Sequence, residues 1–325
     1  MAEGRGLSYR RAMFSHEDMI ASLSVEMIDE LLYRGAPLQM GLPRIYGGQI
    51  LGQSLAAAML TVEDDGEVPR RPHSFHAYFL RPGDTSRDVI FDVDPIRDGR
   101  SFTTRRVVAK QKGRAIFNAS MSFQKLESGV SHQIDLPGHV PLPEDLPRES
   151  VAEGQQLVAM GMDTEQIRRI LLTFGDDVLD IRTPYPGLRL AAAASPQTEY
   201  GYWFRFKQAI PDDPVIHRAL LAFISDRSLM LTAMIANGVT FLTHEVMGAS
   251  LDHAMWFHDE IRLDQWLYYH IDSPRSARAR GLNRGSFYTR DGVLIASTAQ
   301  EGLMRVGAER ERDEVAGGPV VRKTR

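Results

Sequence analysis

The chain has 325 residues, with 38 Lys and Arg against 42 Asp and Glu, a formal net charge of −4 and no cysteine. The lack of cysteine excludes disulfides, thiolate metal sites, iron–sulfur clusters and a cysteine nucleophile, and the balanced charge argues against nucleic acid as the main partner. A chain this long is expected to form about two domains, with a core that needs no covalent staple.

Residues Met1–Glu17 are mostly polar, and no apolar run follows that would form a signal-peptide core. Leu55–Leu60 and Leu229–Ala236 are too short to span a bilayer, so a cytoplasmic chain without stable membrane insertion is expected. Asp18–Leu32 sets Met19, Ile20, Leu23, Met27 and Leu31 at helical spacing, with Ser15 placed to cap it and Glu17 and Asp18 at its positive end. Gly47–Leu60 is apolar on nearly every face and reads as a buried helix opened by glycines. His73–Arg81, Arg87–Arg97, Ser101–Gln111 and Ala115–Gln124 read as strands, separated by turns at Arg81–Asp84, Arg97–Gly99 and Lys112–Gly113. Leu136–Pro147 carries four prolines and reads as a connector. Trp203, Phe204 and Phe206 read as strand packing. Asp213–Ala236 reads as one long apolar helix with Pro214 in its first turn. Strand-like runs follow at Ala249–His258, Gln265–Ile271, Ala277–Tyr288 and Leu294–Arg305, with a turn at Arg290–Gly292. The charged segment 308–325 is expected to be a disordered tail.

Each half is thus a buried helix followed by antiparallel-looking strands. Fragments match between halves: His76-Ala77-Tyr78-Phe79 with His253-Ala254-Met255-Trp256, and Ile116…Ala119-Ser120 with Ile295-Ala296-Ser297. The shared order points to duplication and to an α+β class, with two long buried helices each wrapped by a curved antiparallel sheet. The expected units are 15–135 and 196–307, joined by a connector over 136–195.

Arg44-Ile45-Tyr46-Gly47-Gly48-Gln49, His73–Phe79, Leu251–His258 and Asp291–Gly302 resemble the type II acyl-CoA thioesterase family, over about residues 15–306. The resemblance implies a double hotdog fold and hydrolysis of fatty acyl-CoA to free fatty acid and CoA. In that family an Asp, a Thr or Ser hydroxyl and a Gln hold the attacking water. The family's motifs carry these roles onto Asp226 of Ser225-Asp226, Ser250 ahead of Asp252-His253, and Gln300 of Ala299-Gln300-Glu301-Gly302. The family often has Thr where this chain has Ser250; Ser keeps the hydroxyl and loses the methyl that stiffens χ1.

The chemistry suits these residue types. Thioester hydrolysis needs an oriented water, a proton acceptor and a donor for the oxyanion. Asp226 can accept the proton if burial raises its pKa, and Ser250 and Gln300 can orient the water. Gly47 and Gly48 permit close backbone approach at a helix N-terminus, and Gln49 beside them is a further candidate for substrate binding. Arg275, Arg278 and Arg280, with Arg284, form the densest basic cluster, either a solvated strand face or a contact for CoA phosphates. Neither cofactor nor metal is expected, and the exposed edges of hotdog sheets suggest a homodimer or homotetramer.

Plainer readings stand beside these. Taken singly, Asp226, Ser250 and Gln300 could each be structural, and His253 and His258 read as packed, hydrogen-bonded histidines. Gly52-Gln53-Ser54-Leu55-Ala56 lacks the closing glycine of a nucleophile elbow. His73 and His76 have no evident third metal ligand. Asp212 and His217 have a spacing similar to that of (R)-specific enoyl-CoA hydratases, which keeps a hydratase as an alternative, and a non-catalytic acyl-CoA-binding module is another. Asp213 has a simple use as an N-cap before Pro214.

Overall fold

The computed structural model describes residues 14–63, 68–164, 167, 178–190 and 197–309. Helix α1, His16–Leu23, opens with a capping box in which Ser15 Oγ accepts the Asp18 N–H at 3.0 Å and Asp18 Oδ2 accepts the Ser15 N–H at 2.7 Å. It ends earlier than the helical spacing predicts. Strands β1, Glu26–Asp29, and β2, Leu32–Gly35, take over the rest, reversing through Leu31 at φ 58°. The helical pattern there is weak, since Met27 is 66% exposed, and β2 instead satisfies its backbone on β4.

Helix α2, Gly47–Met59, is buried from Gly48 to Ala58, as its all-round apolar pattern requires. The four predicted strands of the first half appear as β3, Arg70–Phe79; β4, Val89–Asp98; β5, Phe102–Gln111; and β6, Arg114–Lys125. The connector is more structured than its prolines suggest. It contains helix α3, Glu149–Ala159, and strand β7, Leu179–Arg182, which pairs with β8, Glu199–Phe206. Its proline segment lies on the outer side of β8, where Trp203 Nε1 donates to the Pro141 carbonyl at 2.9 Å.

The long helix expected over Asp213–Ala236 is broken. Asp213 caps α4, Pro214–Ser225, by accepting the Val215 N–H at 2.8 Å, and α5, Leu229–Ala236, begins after a break at Asp226-Arg227-Ser228. The whole stretch Pro214–Ala236 is apolar enough to cross a membrane by length and composition, but 72% of its apolar window is buried inside the structure. The predicted strand Ala249–His258 is also divided, into β9, His244–Ser250, and β10, Asp252–Phe257. Strands β11, Leu267–Ala277; β12, Arg280–Thr289; and β13, Leu294–Glu309 complete the fold. Residues 308 and 309 of the expected tail therefore belong to β13, and 310–325 lie outside the described residues.

All strands join one antiparallel sheet in the order β1-β2-β4-β5-β6-β3-β10-β13-β12-β11-β8-β7, with β9 added on β13. Read outward from the β3–β10 seam, the two sides repeat the same order, and a single apolar core runs beneath both. This large antiparallel sheet over few helices is that of a hotdog fold. Setting the β5–β6 turn at Gly113 (φ 71°) on the β12–β13 turn at Gly292 (φ 83°) superposes Ile116 on Ile295 and Met121 on Gln300. Met121 pairs with Phe75, so Phe75 then falls on His253. The fragment match of His76 with His253 is thus one residue out of register. His76 is exposed and His253 buried, and alternation makes a slip of one exchange the two faces.

Helices α2 and α4 run antiparallel in contact. A Cβ on Gly48 would lie 2.1 Å from the Phe223 carbonyl oxygen, and one on Gly52 would lie 2.7 Å from that of Ala219. Two glycines one turn apart thus let the backbones approach, which brings the N-terminus of α2 against the C-terminus of α4. Helix α5 turns away and lies on β11, β12 and β13.

Candidate active site

Asp226 is the C-cap of α4. The chain leaves the helix there through Arg227 and then Ser228, which adopts φ 71°, a left-handed conformation rare for serine. Arg227 fixes this break. Its guanidinium is buried, forms an ion pair with Glu149 of α3, and lies 4.4 Å from the ring centre of Tyr202. Glu149 also accepts from Tyr200 Oη at 2.9 Å, and Arg189 pairs with Glu153 one turn along α3 at 2.6 Å. The connector therefore builds the support under Asp226.

A second irregularity aims Ser250. Strand β9 pairs Ser250 with Gly302 and β10 pairs Ala254 with Ala299, so three residues on one strand face two on β13. This is a β-bulge, and it reverses the alternation. Ser250 and His253 would stand on opposite faces of a regular strand; across the bulge both reach the Gln300 side chain on the inner face. The Glu301 N–H freed by the bulge donates to Asp252 Oδ1 at 2.6 Å. Asp252 of the Asp-His pair thus holds the irregularity closed.

The side chains then meet in a chain of hydrogen bonds. Ser250 Oγ donates to Asp226 Oδ1 at 3.3 Å, and Gln300 Nε2 donates to Ser250 Oγ at 2.7 Å. Gln300 Oε1 lies 2.7 Å from His253 Nδ1, and His253 Nε2 lies 2.9 Å from Ser225 Oγ. Burial lowers the His253 pKa to about 4, against a hydrogen bond to the Gln300 carbonyl that raises it, so the ring is neutral. Neutral His253 donating from Nδ1 to the Gln300 carbonyl can only accept at Nε2. The single Ser225 hydroxyl hydrogen is then shared between the ring and the Ala222 carbonyl, to which Oγ donates at 2.8 Å.

Burial pushes the Asp226 carboxyl up from its ordinary 3.8 to about 6, while hydrogen bonds from Gln300, Ser250 and the Gly48 backbone pull the other way. A carboxylate poised there is ionised at neutral pH yet basic enough to take a proton. Gly47 makes room for it, because a Cβ there would lie 2.6 Å from Asp226 Oδ2. The N-cap of α2, Tyr46, makes no side-chain cap bond, while the Gly48 N–H is given to Asp226 and the Gln49 and Ile50 N–H groups to the Tyr46 carbonyl, so this helix end offers the site chiefly its positive dipole.

The other sequence candidates are placed less directly. Gln49 is buried, with Oε1 accepting the Leu38 N–H at 3.1 Å and Nε2 donating to Ala36 O at 2.9 Å, so both ends of its amide brace the segment before α2. Arg280 pairs with Glu301 at 2.8 Å and Arg284 with Asp272 at 2.6 Å; alternation puts both on the outer face, opposite Gln300. Arg275 and Arg278 are exposed at the β11–β12 turn. Asp212 pairs with Arg262 at 2.9 Å, while buried His217 accepts the Leu263 N–H at Nδ1, so the two do not form a hydratase-like dyad. Ser54 is buried inside α2, not at a strand-to-helix turn. A polar cleft of about 660 Å³ lined by Arg182, Arg205, Trp266 and Arg290 contains none of Asp226, Ser250 or Gln300. Sequence reasoning missed the bond between Ser225 and His253 and the role of Glu149; the Asp-His pair was the visible sign of the first.

Residues 36–124 match the family model described as "Acyl-CoA thioesterase N-terminal domain", and residues 188–303 match that described as "Acyl-CoA thioesterase". The chain is 35% identical over 288 residues to acyl-CoA thioesterase 2 of Haemophilus influenzae, covering 89% of this chain and 97% of that protein. Its structure is similar to that of an acyl-CoA thioesterase II from Mycobacterium marinum, with TM-score 0.70, 36% identity, and 90% and 99% of the two chains covered. A hot dog fold protein from Alicyclobacillus acidocaldarius, only 17% identical, also has TM-score 0.70, with 91% and 100% covered, and supports the fold alone.

Proposed function

The chain belongs to the type II acyl-CoA thioesterase family, hydrolases acting on thioester bonds, and from that premise we propose that Asp226, Ser250 and Gln300 hold the water that cleaves fatty acyl-CoA. The observation that carries this reading is the continuous hydrogen-bonded set of the three side chains at the junction of α2 and α4. A water bound among them gives a proton to the Asp226 carboxylate as its oxygen attacks the thioester carbonyl. The positive end of the α2 dipole, which meets the site at Gly47, favours the oxyanion. Collapse breaks the C–S bond, the CoA thiolate takes the proton, and the fatty acid leaves. Gly47 makes room for the Asp226 carboxylate and Gly48 for the α4 backbone, and Arg275, Arg278 and Arg280 remain candidates for the CoA phosphates.

The repeated strand order on either side of the seam favours a double hotdog, with units over 15–135 and 196–307 and a connector between. We take the chain to work in the cytoplasm as a homodimer or homotetramer. The absence of cysteine and the burial of the Pro214–Ala236 stretch are in keeping with that setting.

Free thiol release from a panel of acyl-CoAs of increasing chain length tests the reading. Wild type should release CoA, and Asp226→Asn should lower kcat by roughly 10²–10⁴. Ser250→Ala and Gln300→Ala should each lose roughly 10²–10³. Undiminished release by Asp226→Asn would sink the assignment, and tight acyl-CoA binding without turnover by wild type would turn the reading to a binding module.

A further inference from the structure

We propose that His253 and Ser225 are positioning residues of the hydrolytic site, holding the Gln300 amide with its NH2 group toward Ser250. The inference rests on the assignment of Asp226, Ser250 and Gln300 made above.

A glutamine amide presents an acceptor or a donor depending on a half-turn of its last bond. Only one orientation leaves Ser250 free to donate to Asp226. With Gln300 Nε2 toward Ser250, the amide gives a hydrogen at 2.7 Å, and the one hydroxyl hydrogen of Ser250 points to the carboxylate. In the flipped state Gln300 Oε1 would compete for that hydrogen.

The partner on the far side of the amide decides between the two. His253 Nδ1 stands 2.7 Å from Gln300 Oε1, and Nδ1–H fixes the carbonyl on that side. Ser225 Oγ stands 2.9 Å from Nε2 while it also donates to the Ala222 carbonyl at 2.8 Å, so it braces the far side of the ring. The ring is fully buried and stacked on Phe75 at 5.9 Å. Further, Tyr269 Oη donates to the Ser225 carbonyl at 2.8 Å, holding the end of α4 in place. From His253 onward the donors therefore point the same way, through Gln300 and Ser250 to Asp226. Because Ser225 and Asp226 are consecutive, the circuit closes on one turn of chain, and its direction is anchored by a carboxylate that can only accept.

The consequence is readable in a pH profile. The Gln300 N–H favours the ionised form of Asp226. If the amide is free to flip, that support weakens and the acid limb of kcat/KM moves upward. The other ionisable groups facing Asp226 do not titrate near this limb. Tyr46, Tyr202 on β8 and Tyr269 on β11 are all raised above their usual range, mainly by burial. Arg227 remains protonated beside Glu149.

Thiol release would be followed from pH 5 to 9 for wild type, His253→Leu, His253→Asn, Ser225→Ala and Asp226→Asn, with thermal unfolding of each. His253→Leu should lose about 10²-fold in kcat, as expected when a reacting group is misplaced by about 1 Å. Its KM should stay near wild type and its acid limb should rise. His253→Asn, which keeps a donor near Nδ1, should recover most of the loss. Ser225→Ala should shift the limb in the same direction by a smaller amount, and it decides the matter alone if His253→Leu does not fold. Wild-type kcat and an unmoved acid limb in the folded variants would overturn the proposal. If Asp226→Asn is inactive in that same experiment, the assignment of the water-holding residues survives and only the positioning role falls; if Asp226→Asn is fully active, the assignment itself falls.

Discussion

At the scale of single residues, Asp226 joins function to a stability penalty. Burial raises its pKa to about 6, so kcat/KM should fall as the pH drops through about 6 and level off above it. A wild-type acid limb near 4 would show that burial does not raise the carboxyl, without removing it as the base. The same shift predicts a pH-dependent stability. Between 3.8 and about 6 the folded chain binds a proton at this site that the unfolded chain has released, so stability declines as pH rises across that window and stays reduced above it. Asp226→Asn, which never ionises, should therefore raise Tm by a few degrees at pH 7 to 8, with the gain vanishing toward pH 4. A calorimetric series on the two proteins would check both the sign and the window. The types and spacing of these residues were legible in the sequence through the family motifs, but their geometry was not. Alternation alone sets Ser250 opposite His253, and only the bulge closed by Asp252 brings them to one side. A bulge depends on the pairing of two strands distant in sequence, which no local pattern records.

At the scale of elements, the helices were legible where an apolar pattern coincided with a capping residue. Ser15 and Asp213 mark the starts of α1 and α4 correctly. The break after α4 was not legible, because Asp226-Arg227-Ser228 lacks glycine and proline and the left-handed Ser228 is held by tertiary contacts. The β11–β12 turn was hidden for the same reason, since Arg278 and Ala279 take φ 52° and 58° without a glycine. Two substitutions test whether the helices set the site. Gly52→Ala lies a full turn from the proposed catalytic groups, yet its methyl would meet the Ala219 carbonyl at 2.7 Å. The backbone cannot yield locally, so α2 and α4 must separate, with a loss of about 1–3 kcal/mol in urea unfolding and a fall in kcat as Gly48 withdraws from Asp226. Glu149→Gln removes the charge paired with buried Arg227 and should cost about 3–5 kcal/mol. Unaltered urea midpoints would show that neither contact holds the helices.

At the scale of the whole molecule, the repeated order of strands conceals an unequal division of labour. The register that sets Met121 on Gln300 and Phe75 on His253 gives the first half apolar groups where the second carries polar ones, so that half contributes the start of α2 to the site and no set of its own. Neither half can then work alone, and the packing implies that neither unfolds alone. The β3–β10 seam runs through one core, and the glycine faces of α2 press on the α4 backbone, which belongs to the other half. Removing one half would uncover the face of the helix that remains, at roughly 1.5–3 kcal/mol for each large side chain exposed. Chains built of two units often unfold in two steps. Here the shared core predicts a single calorimetric transition, with a van't Hoff enthalpy close to the calorimetric one. Gly52→Ala, placed at the α2–α4 contact, should lower that one Tm without splitting it. Two resolved transitions in the wild type would mean that the halves hold together only through the seam strands, and that the helix contact contributes to catalysis without contributing to cooperativity.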